Sequence, residues 1–363
     1  MRLLVSGGGT GGHVYPALSL VKYVKEVEPD STFMYVGTQG GLESTIVKNE
    51  YLPFASVDIQ GFRRKLTFEN VTTIKKFLKS IKDSKRIIKE FQPDVVVGTG
   101  GYVCAPVVYA AHKLGIPTLI HEQNSVPGVA NKFLSRYVDK VAVCFEDAIE
   151  YFPKEKVELT GNPRAQEVAG LKPDNYLTDT YQLDSNKKTV LLFGGSRGAK
   201  TMMNAVEEAV NELEKKDYQT IVATGNIYFE SISEHIDLSS LKMVKIVPYI
   251  DNMTQVLANI DLVVSRAGAT SIAEFTGMGL PSILIPSPNV TNDHQTKNAM
   301  SLVRVGAAEI LKDSELTGQT LVSSIDAIMK DEERLKNMAV ESEKIGYQDA
   351  TTHLYQLLKA LQK

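Results

Sequence analysis

The sequence predicts an α/β protein with two doubly wound parallel-sheet domains, and three observations lead to this prediction. The chain has 363 residues, against roughly 150 for a typical domain. Short apolar runs without polar alternation are separated by longer helical patterns, as expected of strands that helices cover on both faces. A glycine-rich turn between a strand and a helix occurs twice, near Gly7 and near Gly194.

The predicted strands are apolar runs of three or four residues in both halves of the chain. We place the N-terminal domain at residues 1–162 and the C-terminal domain at 163–344, because a polar, weakly periodic stretch follows Gly161. A last helix within residues 345–363 is expected to dock back on the first domain. The predicted strands are 3–5, 33–36, 95–97, 118–120, 141–143, 190–193, 221–223, 244–247, 262–264 and 283–285.

Composition and charge exclude several classes of protein. Forty basic residues against 43 acidic ones give a net charge of −3, which argues against a general nucleic-acid binder. Two cysteines, Cys104 and Cys144, cannot form a disulfide scaffold, and they favour a reduced cytoplasmic compartment. The N-terminal segment runs straight into glycines, so we expect no signal peptide. No apolar stretch reaches the roughly 18 residues of a membrane span.

The first glycine loop satisfies G-x-G-x-x-G with Gly7, Gly9 and Gly12. A dinucleotide site also needs an acid at the end of the second strand, but the next acid, Glu43, already lies in the following helix. His13 stands where a P-loop has lysine. In the second loop, alanine replaces the last glycine of a P-loop, which argues against an ATP site. The loops remain either anion sites at helix N-termini or tight turns without a ligand.

Polar residues follow strands in both halves. His13 is either a structural residue or a general base. The second alternative is reasonable because a helix N-terminus lowers the pKa of an imidazole and keeps it neutral. The run from His121 to Asn124 follows an apolar strand, and four consecutive polar groups are poor core material, so we expect them at a ligand site.

In the second half, Thr270 or Ser271 is predicted to cap a helix, with Glu274 in its first turn. There Glu274 would suit either the helix dipole or a ribose diol. His294 and Gln295 begin a further helix. No set of His, Cys, Asp and Glu has metal-site spacing, so no metal is predicted.

The segment from residue 69 to residue 91 is the clearest amphipathic helix of the chain. Lysines interleave with its apolar residues. The apolar stripe either packs in the core or lies on an anionic membrane, because basic residues beside apolar ones suit such a surface. The residues predicted for the membrane surface are Val71, Ile74, Lys75, Phe77, Leu78 and Ile81.

Five motifs follow one another along the chain: GGGTGGHVYPA at residues 7–17, HEQN at 121–124, GNP at 161–163, FGGSRGA at 193–199 and RAGA at 266–269. In this order they closely resemble the MurG family of peptidoglycan N-acetylglucosaminyltransferases, over nearly the whole chain. The resemblance implies a GT-B fold, with two Rossmann-like domains facing across a cleft. It implies an N-terminal domain for the lipid-linked acceptor and a C-terminal domain for UDP-N-acetylglucosamine, with no cofactor.

The resemblance also implies roles for individual residues. His13 would be the catalytic base, and acceptor binding would involve Gly100, Gly101, Tyr102, His121 and Glu122. The chain departs from the common Gly-Asn-Pro-Val-Arg run because Arg164 follows Pro163 directly, and from an Asp-Arg-Gln-Gln-type run because His294 follows Asp293. The residues implied for UDP-N-acetylglucosamine are Thr10, Gly11, Gly12, Asn124, Arg164, Ser196, Ile250, Ala269, Thr270, Ser271, Glu274, His294 and Gln295.

The implied reaction converts lipid I to lipid II on the inner face of the cell membrane, with cell-wall synthesis and division proteins as further partners. Two other functions stay open. An epimerase of the same fold, acting on UDP-N-acetylglucosamine, would carry catalytic carboxylates. A non-catalytic sugar-nucleotide-binding subunit would keep the glycine loops without needing His13.

Overall fold

A computed structural model describes residues 1–61, 69–195 and 199–362, without the side chains of residues 69–72. The chain forms two compact units. Unit 1 comprises Met1–Glu167 together with the chain from Asp349 onward, and unit 2 comprises Val168–Gln348. The sequence places the boundaries slightly earlier, after residues 162 and 344. The first helix after Pro163 stays with unit 1 because Gln166 and Glu167 hydrogen bond to residues of that unit.

Unit 1 contains a parallel sheet in the strand order β3-β2-β1-β4-β5-β6-β7. The order reverses between β1 and β4, as it does in Rossmann folds. Helices lie on both faces of the sheet, and the central strands are buried. The elements are β1 (Arg2–Gly7), α1 (Gly11–Val27), β2 (Thr32–Gly37), α2 (Leu42–Asn49), β3 (Phe54–Ser56), α3 (Glu69–Phe91), β4 (Val95–Gly100), α4 (Cys104–Lys113), β5 (Thr118–Glu122), α5 (Val129–Leu134), β6 (Lys140–Val143), β7 (Val157–Leu159) and α6 (Pro163–Val168).

Unit 2 repeats the same architecture, with the strand order β10-β9-β8-β11-β12-β13 and parallel pairing throughout the described residues. Here the order reverses between β8 and β11. The elements are α7 (Tyr176–Tyr181), β8 (Thr189–Phe193), α8 (Lys200–Leu213), β9 (Gln219–Ala223), α9 (Asn226–His235), β10 (Val244–Val247), α10 (Met253–Ala258), β11 (Leu262–Ser265), α11 (Ala269–Gly277), β12 (Ser282–Leu284), α12 (His294–Val303), β13 (Ala308–Ile310), α13 (Gly318–Met329) and α14 (Glu332–Lys344).

The predicted fold class is confirmed, and each of the ten predicted strands is present. The sequence missed β3, β7 and β13. Each has three residues and lies at the edge of its sheet, where side chains are partly exposed. Such strands carry no continuous apolar run because only one side of the strand is covered.

The last helix, α15 (Ala350–Leu361), begins later than the sequence suggested and packs against α1 in unit 1. The Tyr23 and Tyr355 rings meet edge to face, 5.9 Å between centroids, and the Tyr23 hydroxyl lies 2.9 Å from Thr352 Oγ1. Among the described helices, none is long and apolar enough to cross a membrane.

Candidate active site

The first glycine loop lies at the switch point of unit 1, after the carboxyl end of β1. Ligands of open parallel sheets bind at such a point. The Gly8 N–H donates to Gly100 O (3.3 Å), and the Thr99 hydroxyl donates to His13 O (2.7 Å). These bonds join the loops after β1 and β4. Thr10, Gly11, Gly12 and His13 therefore meet Gly100, Gly101 and Tyr102 at one edge of the sheet.

His13 lies in the first turn of α1, and its Nδ1 is 2.9 Å from Gly8 O. A carbonyl oxygen only accepts hydrogen bonds, so Nδ1 of the neutral imidazole carries the proton and the basic lone pair is on Nε2. Thr10 Oγ1 lies 3.3 Å from the same Nδ1. The ring is held by its backbone neighbours in the tautomer that a base acting through Nε2 requires.

The loop after β4 fits closely around the imidazole. Gly100 and Gly101 adopt φ values of +106° and +82°, which favour glycine. A Cβ on Gly100 would lie 2.8 Å from His13 Cδ2, and one on Gly101 would overlap Gly8 O. The ring of Tyr102 is 39% exposed and lies beside Gly9. Gly100 and Gly101 are therefore both required by the close approach of this loop to His13 and Gly8.

Glu43, which is not among the predicted site residues, lies directly behind the first glycine loop. Its carboxylate is fully buried and accepts hydrogen bonds from the Gly9 N–H (3.1 Å), the Thr38 N–H (2.9 Å) and the Thr38 hydroxyl (2.7 Å). Burial raises the pKa of this carboxyl, but the hydrogen bonds from Thr38 and Gly9 outweigh burial and lower it below its usual value. A possible signal was the glycine pair before Glu43, which allows close approach of the chain.

The interpretation that residues 121–124 are poor core material is wrong. His121, Glu122 and Gln123 are exposed by 1%, 2% and 2%. Their hydrogen bonds explain this: His121 Nε2 bonds to Gly161 O (3.0 Å), and Gln123 Nε2 donates to Thr99 O (2.9 Å). Burial lowers the pKa of His121 to about 4, so it is neutral. Predicted direct acceptor contacts by His121 and Glu122 do not fit this burial.

Asn124 is the partly exposed member of this run, and Glu122 fixes its position. Glu122 Oε1 accepts from the Asn124 N–H (3.0 Å) and from its Nδ2 (3.2 Å). The other oxygen, Oε2, accepts from Asn131 Nδ2 (2.8 Å) and the Gly128 N–H (3.1 Å). The buried carboxylate therefore holds the polar end of β5 in one arrangement.

In unit 2, the switch point is held by Arg266, a residue of the RAGA motif for which no role is predicted. Its guanidinium pairs with Asp313 (2.5 Å), and it donates to Thr201 Oγ1 (3.0 Å) and Ile285 O (3.1 Å). These bonds join the end of β11 to the first turn of α8 and to the end of β12. Ser196, in the second glycine loop, lies outside the described residues.

Helix α11 begins earlier than predicted. Gly268 is its N-cap residue, so Thr270 and Ser271 lie inside the first turn and do not cap the helix. Glu274 therefore lies in the second turn, which corrects its predicted place in the first. The small residues Ala267 and Gly268 allow the backbone to enter the helix directly after the strand. The first turn, beginning with Ala269, follows the carboxyl end of β11, and ligands of open parallel sheets bind at that edge.

Three further residues predicted to contact the donor lie in unit 2, Ile250 in the loop after β10 and His294 and Gln295 at the start of α12. Ile250, after β10, is 3% exposed, so its side chain belongs to the core. Gln295 Oε1 accepts from the Ser287 N–H (2.8 Å), and His294 Nδ1 lies 2.7 Å from Thr291 O. Both side chains are partly exposed at the start of α12.

Arg164, predicted to contact the donor, lies on α6 in unit 1. Its Nη1 donates to Glu167 Oε2 (2.6 Å), and its guanidinium is 5.8 Å from the ring centroid of Tyr15. The side chain is 15% exposed. Within unit 1, Arg164 is thus engaged with an acid and an aromatic ring.

The apolar residues of α3 divide between two environments. Ile74 and Leu78 are 50% and 62% exposed, one turn apart. Phe77 and Ile81 are half-buried against the core of unit 1, and Phe77 meets the ring of Phe133 on α5. This corrects the prediction that all of them form one membrane surface. Lys75 is exposed beside Ile74, and the side chain of Val71 lies outside the described ones.

The described side chains contain no group of three or more His, Cys, Asp or Glu residues that could hold a metal ion. The polar groups at the two switch points are backbone amides, hydroxyls, an imidazole, the buried Glu43 carboxylate and the Arg266–Asp313 pair. Such groups can take up a proton and stabilise developing negative charge.

Comparison with known proteins agrees with this architecture. Family models for the N-terminal and C-terminal domains of glycosyltransferase family 28 match residues 3–143 and 189–354. A UDP-N-acetylglucosamine–N-acetylmuramyl-(pentapeptide) pyrophosphoryl-undecaprenol N-acetylglucosamine transferase from Bacillus cytotoxicus is 53% identical, with both chains covered completely.

Solved structures extend the comparison. The crystal structure of MurG from Acinetobacter baumannii has a TM-score of 0.79 and 31% identity, with 99% of each chain covered. A UDP-GlcNAc 2-epimerase from Neisseria meningitidis, bound to UDP-GlcNAc, has a TM-score of 0.67 at 14% identity, covering 99% of this chain and 100% of that one. This second likeness shows a shared fold alone. The chain belongs to glycosyltransferase family 28 and, within it, to the MurG family of N-acetylglucosamine transferases.

Proposed function

We propose that this chain is the inverting glycosyltransferase that moves N-acetylglucosamine from UDP-N-acetylglucosamine to the 4-hydroxyl of the N-acetylmuramic acid unit of lipid I, forming lipid II for the cell wall. The observation that carries this is identity of 53% to such a transferase over the full length of both chains. The epimerase alternative is not favoured, because its likeness is limited to the fold.

The proposed chemical step needs one base and one stabilised leaving group. The acceptor hydroxyl attacks the anomeric carbon from the face opposite UDP, and His13 Nε2 takes its proton. The bond from the anomeric carbon to the phosphate oxygen breaks, and its electron pair leaves with UDP. His13 suits the proton transfer because the Nδ1 bond to Gly8 O keeps the lone pair on Nε2.

For the donor, we propose the loops at the carboxyl edge of unit 2. First-turn N–H groups of α11, at Ala269, Thr270 and Ser271, would meet the diphosphate, since helix N-termini attract anions. The Glu274 carboxylate would accept hydrogen bonds from both ribose hydroxyls. Because the Ile250 side chain is buried, uracil would meet its backbone. The remaining proposed donor contacts are Ser196, His294 and Gln295 in unit 2, and Thr10, Gly11, Gly12, Asn124 and Arg164 in unit 1.

For the acceptor, we propose Gly100, Gly101 and Tyr102, at the mouth of the loop after β4. Tyr102 presents an exposed ring beside Gly9. His121 and Glu122 would act indirectly, by holding Asn124 and the loop after β5.

One experiment separates the candidate functions. The protein is incubated with UDP-N-acetylglucosamine and a short-chain lipid I, and the products are resolved by chromatography and mass spectrometry. We expect a β-1,4-linked disaccharide product and UDP in equal amounts. An epimerised donor without acceptor consumption would favour the epimerase, and absence of turnover with intact donor binding would favour a binding subunit.

We also propose that unit 1 attaches peripherally to the inner face of the cell membrane through Ile74 and Leu78 of α3. Two exposed apolar side chains beside Lys75 and Lys79 suit a surface of anionic lipid. The long lipid of the proposed acceptor requires such proximity. The further partners in cell-wall synthesis and division rest on the resemblance alone.

Vesicle binding tests the attachment. Ile74→Ser with Leu78→Ser should weaken binding to vesicles of phosphatidylglycerol and phosphatidylethanolamine and reduce turnover of long-chain acceptor. Turnover of a short-chain acceptor and the melting temperature should stay near wild type, since both side chains are already exposed. Val340→Ser, at a 42% exposed position of α14, is the matched control. Unchanged vesicle binding in the double variant would contradict the proposal.

A further inference from the structure

The peptide group between Gly8 and Gly9 is hydrogen bonded at both ends. Its N–H, on Gly9, donates to Glu43 Oε2 (3.1 Å), and its C=O, on Gly8, accepts from His13 Nδ1 (2.9 Å). In a trans peptide these two groups point in opposite directions. One planar unit therefore connects a buried carboxylate on one side to the imidazole on the other.

We propose that Glu43 is a positioning residue for His13, acting through the peptide group between Gly8 and Gly9. The inference rests on the proposed role of His13 as the base. Glu43 has no direct contact with His13 among the described hydrogen bonds, and it is fully buried, so it does not reach a substrate.

The first step is orientation. Gly9 has φ of +84°, where glycine tolerates several backbone conformations, so the peptide needs an external bond to stay in one of them. Glu43 supplies that bond, and Thr38 fixes the carboxylate through its N–H and hydroxyl. With the peptide held, Gly8 O stays aimed at His13 Nδ1 and maintains the tautomer with the lone pair on Nε2.

The second step is electronic. A carboxylate that accepts from one end of a peptide polarises it and makes the carbonyl at the other end a stronger acceptor. The hydrogen bond from His13 Nδ1–H to Gly8 O is therefore strengthened. The imidazolium that forms when Nε2 takes a proton is stabilised by the same bond. A carboxylate bonded directly to a catalytic histidine acts in the same sense. Here one peptide group lies between them.

Close packing supports a dedicated arrangement. A Cβ on Gly8 would lie 2.6 Å from the Glu43 carboxyl carbon, and a Cβ on Gly37 would lie 2.6 Å from Glu43 Cγ. The carboxylate can reach the loop only because these positions have no side chain. Its role is thus tied to glycines of two separate segments, the first glycine loop and the end of β2.

The test compares Glu43→Gln with wild type in steady-state turnover of short-chain lipid I. Glutamine keeps the shape but loses the charge. We expect kcat to fall roughly 10-fold to 100-fold, an effect of the size known for carboxylates that orient metal-binding histidines, with the KM for the donor nearly unchanged. The acidic limb of the kcat–pH profile should move to lower pH, because His13 becomes less basic. Glu50→Gln, exposed at the end of the same helix, is the matched control.

A double-mutant cycle with His13→Ala separates this inference from the proposed base. In the His13→Ala background, Glu43→Gln should cause little further loss of kcat. If His13→Ala keeps wild-type kcat, the base role itself is overturned. If His13→Ala loses turnover but folded Glu43→Gln keeps the wild-type kcat and pH profile, the positioning role of Glu43 is overturned, while the base role of His13 is retained. If the losses of kcat in the two single variants add fully in the double variant, the positioning role of Glu43 is likewise overturned.

The wild-type protein provides a test that does not depend on the folding of any variant. In water, neutral histidine favours the proton on Nε2, whereas His13 is expected to carry it on Nδ1. Nitrogen-15 NMR of the imidazole distinguishes the two, and hydrogen exchange measures protection of the Gly9 amide. An Nε2–H tautomer for neutral His13, or a Gly9 amide that exchanges as fast as an exposed one, would overturn the proposal.

Discussion

The two switch points of the chain have the same strand order but are held together by different charges. In unit 1, the loop after β1 rests on Glu43, whose described hydrogen-bond donors, Gly9 and Thr38, are neutral. In unit 2, the loops after β11 and β12 are joined by Arg266, whose charge is balanced by Asp313. The first switch point therefore contains the buried negative charge of Glu43 without a cationic donor among its described hydrogen bonds. The second contains a negative charge, on Asp313, that is paired with Arg266.

This difference separates two tasks that a glycosyltransferase must perform. A buried carboxylate favours a cationic imidazolium nearby and disfavours an anionic ligand. A neutral pair leaves the positive ends of α8 and α11 uncompensated, which favours a diphosphate. The same fold can thus support proton uptake in one unit and binding of the leaving group in the other, because function depends on the site rather than on the fold.

The largest expected effect is on the proton-transfer side of this comparison. His13→Ala should lower kcat by roughly 10² to 10⁴, because the base is lost, while donor affinity stays near wild type. Donor affinity is measured by calorimetry, and the melting temperature serves as the folding control. A variant with a reduced melting temperature but wild-type kcat per folded molecule would show that His13 is structural.

The next effect is on the charge pair of unit 2. Arg266→Met removes the cationic partner of Asp313, which among its described hydrogen bonds keeps only the one from the Thr201 hydroxyl (2.6 Å). The two charged side chains are 12% and 15% exposed, so the change should cost about 3 kcal/mol of unfolding free energy. Urea unfolding measures the loss. Adding Asp313→Leu should recover part of it, because the unpaired charge is removed. Equal stability of Arg266→Met and wild type would contradict the role assigned to this pair.

The strands of both sheets could be predicted because buried parallel strands require continuous apolar runs, such as residues 95–97 and 190–193. The edge strands β3, β7 and β13 could not, since partly exposed residues such as Glu158 and Glu309 interrupt such short patterns, whereas the longer edge strand β10 was predicted. Both switch-point loops were likewise visible, because glycine is needed where the chain leaves a strand abruptly.

The side chains behind the loops were less predictable. The polar character of His121 and Glu122 predicts ligand contacts, yet both residues are buried. Backbone groups that the fold brings close to them satisfy their hydrogen bonds: Gly161 O bonds to His121, and the Gly128 N–H donates to Glu122. The position of Glu43 in the helix after β2 argues against a dinucleotide site, but it does not reveal that the folded turn brings the carboxylate back to Gly9. A sequence shows which residues are polar, but not which partners will meet them.

A moderate effect is expected on the donor side. Glu274→Ala should weaken UDP-N-acetylglucosamine binding by about 1.5 to 3 kcal/mol, since a bidentate carboxylate bond to a ribose diol is lost. Calorimetry measures this directly, and Glu230→Ala, at an exposed position of α9, is the control. Wild-type affinity in folded Glu274→Ala would place the ribose elsewhere and weaken the division of tasks between the units.

The smallest expected effect is on the pH dependence of stability, and it tests the negative side of the comparison. The pKa of Glu43 is lower in the folded protein than its usual value, because Thr38 and Gly9 donate to the carboxylate. A lowered carboxyl pKa stabilises the folded state above the unfolded-state pKa, and that contribution is lost as the pH falls through the folded-state value. Wild type should therefore lose more unfolding free energy than Glu43→Gln on going from about pH 6 to about pH 4, around the usual glutamate pKa of about 4.3. The difference is measured by urea unfolding at matched ionic strength, with Glu50→Gln as the control that should follow wild type. Parallel curves for Glu43→Gln and wild type would mean that Glu43 has the same pKa in the folded and unfolded protein. The fold would then not stabilise its negative charge, and the contrast between the two switch points would be lost.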